Sequence, residues 1–192
     1  MSYFAAAAVR GPKGWSAAEL DLSGAADVEE VADRLREVDP DAEVSLLFVE
    51  ADDTYLVIMR LDYGEDLRIF GSDSVFADET RLGALLLGDV ATPVARISGN
   101  DVLTMPDESA EEERAGAPEE AEETAGPGES GRPAVEPDID PVGDADLLAD
   151  LDVPASRLLA LCAHEGMLPS DVTAEICQAI GCGDEVEELR EV

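Results

Sequence analysis

Basic residues are scarce in this sequence of 192 residues, in which 12 Lys and Arg stand against 46 Asp and Glu for a formal net charge of −34. Lys13 is the single lysine, and no stretch concentrates arginine. Tight binding to nucleic acid draws most of its free energy from cations that neutralise phosphates. We therefore expect no direct binding of RNA or DNA, and docking on anionic lipid is disfavoured for the same reason.

Long apolar runs are also missing. No stretch approaches the roughly 20 apolar residues that span a bilayer. The first residues, Met1-Ser2-Tyr3-Phe4, lack the basic region that begins a signal peptide. These two features predict a cytoplasmic protein that does not enter a membrane.

Cysteine and histidine are few, and all of them lie near the end of the chain: Cys162, His164, Cys177 and Cys182. Three cysteines do not make a disulfide framework. Zinc ligands usually come in pairs that are separated by two to four residues. Cys162 and His164 are too close to form such a pair on a helix, and Cys177 and Cys182 are too far apart. On a helix, residues i and i+2 point to different sides, so Cys162 and His164 could not share a proton. We expect thiols in the core, no metal, no cofactor, no catalytic residue and no enzymatic activity.

Composition divides the chain into four parts. Residues 101–140 hold 14 acids and 2 bases, with much Pro, Gly and Ala and no apolar periodicity, so they cannot offset their ordering entropy. The sequence predicts an α+β domain at 1–98, a disordered acidic linker at 99–141, a small helical unit at 142–182 and an acidic tail at 183–192. For the folded parts, a compositional bias of the genome is an open alternative explanation of the acidity.

The first part reads as strands with two helices. Runs of alternating or continuous apolar residues predict strands at 3–10, 15–22, 44–50, 54–61 and 67–70. An acid-x-x-Glu start predicts a helix at 28–38, and the cap candidates at 71–74 predict another that continues to 87. The order is ββαβββα, with an antiparallel sheet, and it is similar to that of profilin-like and roadblock-like domains.

The last part reads as three short helices, at 144–151, 154–165 and 170–180. A unit of this size is too small to be securely stable alone, so we expect it to dock on the first domain or on a partner. Leu158, Leu161 and Ile176 are the predicted partner-binding residues.

Several motifs together suggest a family. They are Tyr3-Phe4-Ala5-Ala6, Gly14-Trp15 leading to Glu19-Leu20-Asp21-Leu22, the strand at 57–60, Phe70-Gly71-Ser72-Asp73, and the stretch from Gly143-Asp144 to Asp150-Leu151. The chain thereby resembles the actinobacterial tRNA adenosine deaminase-associated proteins over residues 1–95 and 140–182. The resemblance implies an accessory protein in tRNA modification. A zinc-dependent deaminase needs His-x-Glu and Pro-Cys-x-x-Cys motifs, and this sequence has neither.

Two functional hypotheses follow. In the first, the chain binds a basic face of a tRNA adenosine deaminase, or of another tRNA-handling protein, towards which its charge would steer it. In the second, it is an acidic decoy that imitates nucleic acid and occludes nucleic-acid-binding proteins. A decoy needs carboxylates held rigidly at phosphate spacing. Because the densest acids fall in the predicted linker, the sequence favours the first hypothesis.

Overall fold

A computed structural model of the chain describes residues 2–90 and 140–191. These residues belong to one compact unit, which is assembled from both sides of the 91–139 segment. The predicted disordered linker at 99–141 lies outside the described residues, except for its last two positions.

The strands form one antiparallel sheet in the order β2-β1-β3-β4-β5-β6. This confirms the predicted α+β class with its N-terminal antiparallel sheet and C-terminal helical segment. The strands are β1 (Tyr3–Gly11), β2 (Gly14–Glu19), β3 (Val44–Ala51), β4 (Tyr55–Asp62), β5 (Asp66–Gly71) and β6 (Val142–Gly143).

Three helices accompany the first five strands: α1 (Val28–Val38), α2 (Val75–Glu79) and α3 (Arg81–Leu87). The Asp27 carboxylate caps α1 by accepting from Glu30 N at 2.9 Å, and the Glu30 carboxylate accepts from Ala26 N at 3.0 Å. The single helix predicted to continue to residue 87 is instead two helices. Thr80 interrupts it with an extended backbone, and its hydroxyl accepts from Gly83 N at 2.7 Å to cap α3.

Three more helices follow the 91–139 segment: α4 (Ala155–Cys162), α5 (Pro169–Ile180) and α6 (Gly183–Arg190). Residues 144–151 form turns and a 3-10 turn in place of the predicted helix. Residues 183–192, described above as an acidic tail, are largely the helix α6, because Val186 and Leu189 pack against the sheet. Within residues 2–90 and 140–191, no helix has the length and apolar character required to cross a bilayer.

The sheet is covered on both faces. On one face, α1, α2 and α3 bury residues such as Leu35, Phe76 and Leu86 against Leu47 and Met59. The other face packs against the C-terminal segment, with Leu147, Leu158, Val172 and Ile176 among the residues that meet Ala6, Leu46, Phe48 and Ile58. Every residue of β3 is buried as a result. The C-terminal segment is therefore an outer layer of the same fold.

The return of the chain at Asp140 links the two parts of the sheet. The Asp140 carbonyl accepts from Ser74 N at 2.8 Å, and the two residues of β6 pair with the end of β5. Gly143 has φ +92°, and a Cβ there would lie 2.1 Å from Ile69 O and 3.1 Å from the Val90 side chain. Only glycine fits this position. Val90 and Asp140, the described residues that flank the 91–139 segment, therefore lie at the β5–β6 edge of the sheet.

Candidate functional site

A buried arginine fixes the C-terminal segment to the sheet. The Arg60 side chain on β4 is 4% exposed and is bound on both sides by carboxylates. Its Nε donates to the two Asp62 oxygens at 2.9 and 3.0 Å, its Nη2 donates to Asp150 at 2.7 Å, and its Nη1 donates to the Leu147 carbonyl at 2.6 Å. Arg68 adds a second bond to Asp62 at 2.7 Å.

The titration of this network follows from its ion pairs. Burial would raise the pKa of Asp62, but the hydrogen bonds from Arg60 and Arg68 outweigh it and hold that pKa below its usual value. The Arg60 hydrogen bonds likewise lower the pKa of Asp150. The carboxylates of Asp62 and Asp150 are therefore charged near neutral pH and pair with Arg60, so the network joins two parts of the fold. Among the described residues, the buried Arg68 Nε has no hydrogen-bond partner.

A cleft of about 410 Å³ lies between α5 and α6. It is lined by carboxylates and by Arg190, whose guanidinium pairs with the buried Glu50 and lies 4.8 Å from the centre of the Phe4 ring. Cys177 also borders the cleft. A hydrogen bond with the Cys182 thiol, together with burial, raises the pKa of the Cys177 thiol. The thiol is therefore protonated and a poor nucleophile.

The structure confirms the predicted core position of Cys177 and Cys182, which are 1% and 0% exposed. Cys162 is half-buried at the end of α4, and burial raises its pKa to about 12. His164 is exposed in the next turn. Among residues 2–90 and 140–191, no group of three His, Cys, Asp or Glu side chains is placed to hold a metal ion. The absence of bound zinc and of catalysis stays a prediction.

The three predicted partner-binding residues occupy different environments. Leu158 and Ile176 are fully buried against the sheet, while Leu161 is half-buried at the edge of the same core. A partner could reach Leu158 or Ile176 only if α4 and α5 left the sheet. Leu161 is thus the one of the three that can contact a partner in the folded protein.

Carboxylates converge around Tyr55 at the start of β4. The Tyr55 ring stacks on Phe76 with 4.8 Å between ring centres, and its hydroxyl donates to Glu79 at 2.7 Å. That hydrogen bond, then burial and the nearby charges of Glu79, Asp73 and Asp52, raise the pKa of Tyr55 to about 12. The hydrogen bond to Glu79 is the largest cause of the elevated pKa, and the negative charges around the ring add to it.

Asp140 extends this group of carboxylates. Its side chain accepts from the Ser74 hydroxyl at 3.3 Å, directly beside Asp73. The neighbouring Val75 is 40% exposed, which places an apolar contact among the acids. We call the set Asp52, Tyr55, Asp73, Glu79 and Asp140 the Tyr55 surface. None of its carboxylates lies within 4 Å of a basic group of the described residues.

Few bases are left to balance such surfaces. Residues 2–90 and 140–191 hold 33 acids and 9 bases. Five of the bases already form ion pairs: Arg34, Arg36, Arg60, Arg68 and Arg190. This excess of acids gives the described part of the chain a negative electrostatic potential.

The Tyr55 surface was not predictable from the sequence. Its members come from the β3–β4 turn, from β4, from the β5–α2 loop, from α2 and from the chain at Asp140, and Tyr55 and Glu79 are 24 positions apart. In a chain with 46 acids, no local pattern distinguishes the four carboxylates of this surface from the rest. Only the sheet register and the return of the chain at Asp140 bring them together.

The chain is similar to one known protein family. No curated protein and no solved structure matches the chain. A family model matches residues 3–183, which is nearly the whole chain and includes every strand of the sheet. The chain therefore belongs to the family described as Rv3753c-like tRNA adenosine deaminase-associated protein.

Proposed function

We propose that this chain is a non-catalytic accessory protein that binds a basic face of a tRNA adenosine deaminase through the Tyr55 surface. The family description supports an association with that enzyme. The convergence on Tyr55 of carboxylates that have no basic partner in the described part of the chain is the observation that carries the choice of surface. A tRNA-binding enzyme needs basic residues to hold phosphates, and those residues are what the surface complements.

The position of the acidic segment supports the same surface. Residues 91–139 carry 13 acids and 3 bases, and they rejoin the described chain at Asp140, which is itself part of the Tyr55 surface. The acidic segment is therefore joined in sequence to a carboxylate of the Tyr55 surface. We expect it to raise the rate of association with a basic partner more than it lowers the rate of dissociation.

An apolar contact is part of the proposal. Val75 is exposed within the acidic surface, and at the α4–α5 connection Leu168 is 45% exposed. Of the predicted partner-binding residues, only Leu161 could contact a partner in the folded protein, while Leu158 and Ile176 hold α4 and α5 against the sheet. Leu161 packs with the core on the opposite face of the sheet from Tyr55. Leu161→Ala should therefore leave binding through the Tyr55 surface unchanged, and a weakened complex that is indifferent to salt would indicate an apolar interface at α4 and α5 instead.

The test is binding of a tRNA adenosine deaminase to the full chain, measured by calorimetry at several salt concentrations. A triple variant, Asp52→Asn, Asp73→Asn and Glu79→Gln, should weaken binding by at least about tenfold at low salt, since each lost charge contact contributes roughly 0.5 kcal/mol or more. Asparagine keeps the acceptors that Asp52 and Asp73 offer to Ser2 N and Val75 N.

A matched control removes the same charge from the opposite end of the sheet, with Glu37→Gln, Asp41→Asn and Glu65→Gln. It should change the affinity by less than about threefold, as expected for distant screened charges. Equal effects of the two triple variants would contradict the Tyr55 surface. Added tRNA should compete with the chain. Equal binding to unrelated nucleic-acid-binding proteins would favour the decoy hypothesis instead.

A further inference from the structure

The β2 strand forms one edge of the sheet. It pairs with β1 on one side, and within the described residues no strand pairs with its other side. None of its six residues is fully buried. An edge strand of this kind presents a row of backbone donors and acceptors to which another extended chain can pair.

The register identifies the groups that face outward. Leu20 N donates to Ala5 O at 2.9 Å, in the register that pairs Ala7 with Ala18. In an antiparallel pair, successive residues alternate between bonding to the partner strand and pointing away from it. Counting back from Leu20, Ala18 and Ser16 bond to β1. The N–H and C=O groups of Trp15, Ala17 and Glu19 therefore point to the open edge.

Edge protection is confined to the two ends of β2. Natural sheets block their edges with proline, lysine, bulges or inward-pointing charges. Pro12 and Lys13 lie in the turn before β2, and Glu19 at its end shares a face with Trp15 and Ala17. The stretch from Trp15 to Ala18 has none of these residues, and the pairing of β2 with β1 is continuous over six positions. The edge is consequently open to strand addition.

The nearest helix supplies negative charge beside this edge. The α6 helix lies over β1 and β2, and α5 lies over β3. Glu187 and Arg190 line the cleft towards α5. Val186 faces the core, so a helical turn of 3.6 residues puts Glu185 and Glu188 on the flank of α6 away from Glu187 and Arg190. Because α5 lies over β3, this flank is the one on the β2 side.

Trp15 and Ala17 pack on the same sheet face as α6. In an added strand, the residues opposite Trp15 and Ala17 would bond to them and would direct their side chains to this face, since cross-strand pairs share a face. Alternate residues of that strand would thus lie near Glu185 and Glu188. Arg10 also lies on this face, with its guanidinium 5.7 Å from the centre of the Trp15 ring. Basic side chains therefore fit opposite Ala17 and Glu19 and not opposite Trp15.

We propose that the open edge of β2 takes up an extended basic segment of a partner protein as an additional strand. The backbone of that segment pairs with Trp15, Ala17 and Glu19, and alternate Lys or Arg side chains face Glu185 and Glu188. A second copy of this chain is disfavoured, because antiparallel pairing of two β2 strands would place both acidic α6 flanks on one face. The identity of the partner as the deaminase rests on the proposed function; the edge itself does not.

The experiment uses the full chain and an eight-residue probe peptide that alternates lysine with valine. Trp15 is the single tryptophan and lies on the edge, so its fluorescence reports binding directly. We expect a change in Trp15 emission and slower hydrogen exchange at the Trp15 and Ala17 amides. The same peptide with its lysine backbone nitrogens methylated keeps its charge but loses its donors, and it should bind at least about tenfold more weakly.

Two sets of variants test the assignment. Ala17→Pro removes an outward N–H and no bond to β1, so the variant should fold. It should bind the probe peptide about tenfold more weakly or worse, whereas Ala17→Ser should leave the affinity unchanged. The double variant Glu185→Gln and Glu188→Gln should lower the affinity for the probe peptide several-fold at low salt. Glu187→Gln, on the α5 side, is the matched control and should change that affinity by less than about twofold.

Equal binding of the methylated and unmethylated peptides would overturn strand addition even if Ala17→Pro failed to fold. So would equal effects of the Glu187 and Glu185–Glu188 variants. The proposed function is judged separately, by the deaminase complex and the Tyr55 surface variants. If the chain binds the probe peptide at the β2 edge but does not bind a deaminase, the result would support strand addition and contradict the proposed function.

Discussion

Arg60 shows how one charged side chain can hold two distant parts of a chain together. It stands on β4 in the alternation that points Leu56 and Ile58 into the core, and it meets Asp150, 90 positions later. The apolar run at 54–61 predicts a strand, but nothing in it predicts this buried ion pair. A carboxylate partner so far along the chain leaves no local pattern to detect.

We predict that Arg60→Met lowers the free energy of unfolding by about 2–3 kcal/mol. Removing one partner of a buried pair costs roughly 3–5 kcal/mol, and here Arg68 remains beside Asp62 while Asp150 is partly exposed. Arg157→Met, on the exposed side of α4, is the control and should change stability by less than about 0.5 kcal/mol. Denaturant unfolding of both variants provides the measurement, and similar losses would contradict the bridging role.

The same network gives a pH dependence with a definite sign. Because the folded-state pKa values of Asp62 and Asp150 are lowered, their stabilisation is complete above the ordinary aspartate pKa of about 4. It is lost as the pH falls below that value. The difference in stability between the native chain and Arg60→Met should therefore shrink from pH 6 to pH 3. A difference that grew on acidification would contradict these pKa shifts.

At the scale of the element, the fold was predictable where local signals are strong. The start of α1 carries a capping box, and β1, β3 and β4 are long apolar runs, so their positions are confirmed to within one residue. The α6 helix has only Val186 and Leu189 as apolar contacts, too few for a periodic signal. The two-residue β6 has no signal of its own, since only its pairing with β5 makes it a strand.

The passage of the chain through β6 gives a prediction about glycine. Gly143→Ala should lower the free energy of unfolding by at least about 3 kcal/mol, because it adds a clash with Ile69 O to an unfavourable φ. Gly166 has a similar φ of +82° with open space around it, so Gly166→Ala should cost only about 1–2 kcal/mol. Thermal unfolding of the two variants separates the clash from the conformational cost. Equal losses would show that β6 can move aside.

At the scale of the whole molecule, like charges oppose folding. With 33 acids and 9 bases in the described residues, and five of those bases already paired, repulsion dominates the surface. We predict that the melting temperature rises steadily with NaCl, since the screening length falls from about 30 Å at 0.01 M to about 3 Å at 1 M. A melting temperature that fell with salt below 0.5 M would mean that ion pairs such as Arg60–Asp150 outweigh the repulsion.

The described residues stop at Val90 and resume at Asp140, and these two residues lie on the same edge of the sheet. The part that begins at Asp140 completes the fold by adding β6, the Asp150 carboxylate and the apolar layer over Leu46, Phe48 and Ile58. Hydrolysis of one peptide bond between these points would therefore leave two fragments with complementary surfaces. Produced as separate polypeptides, they should reassemble into the same sheet, as the halves of a split reporter do.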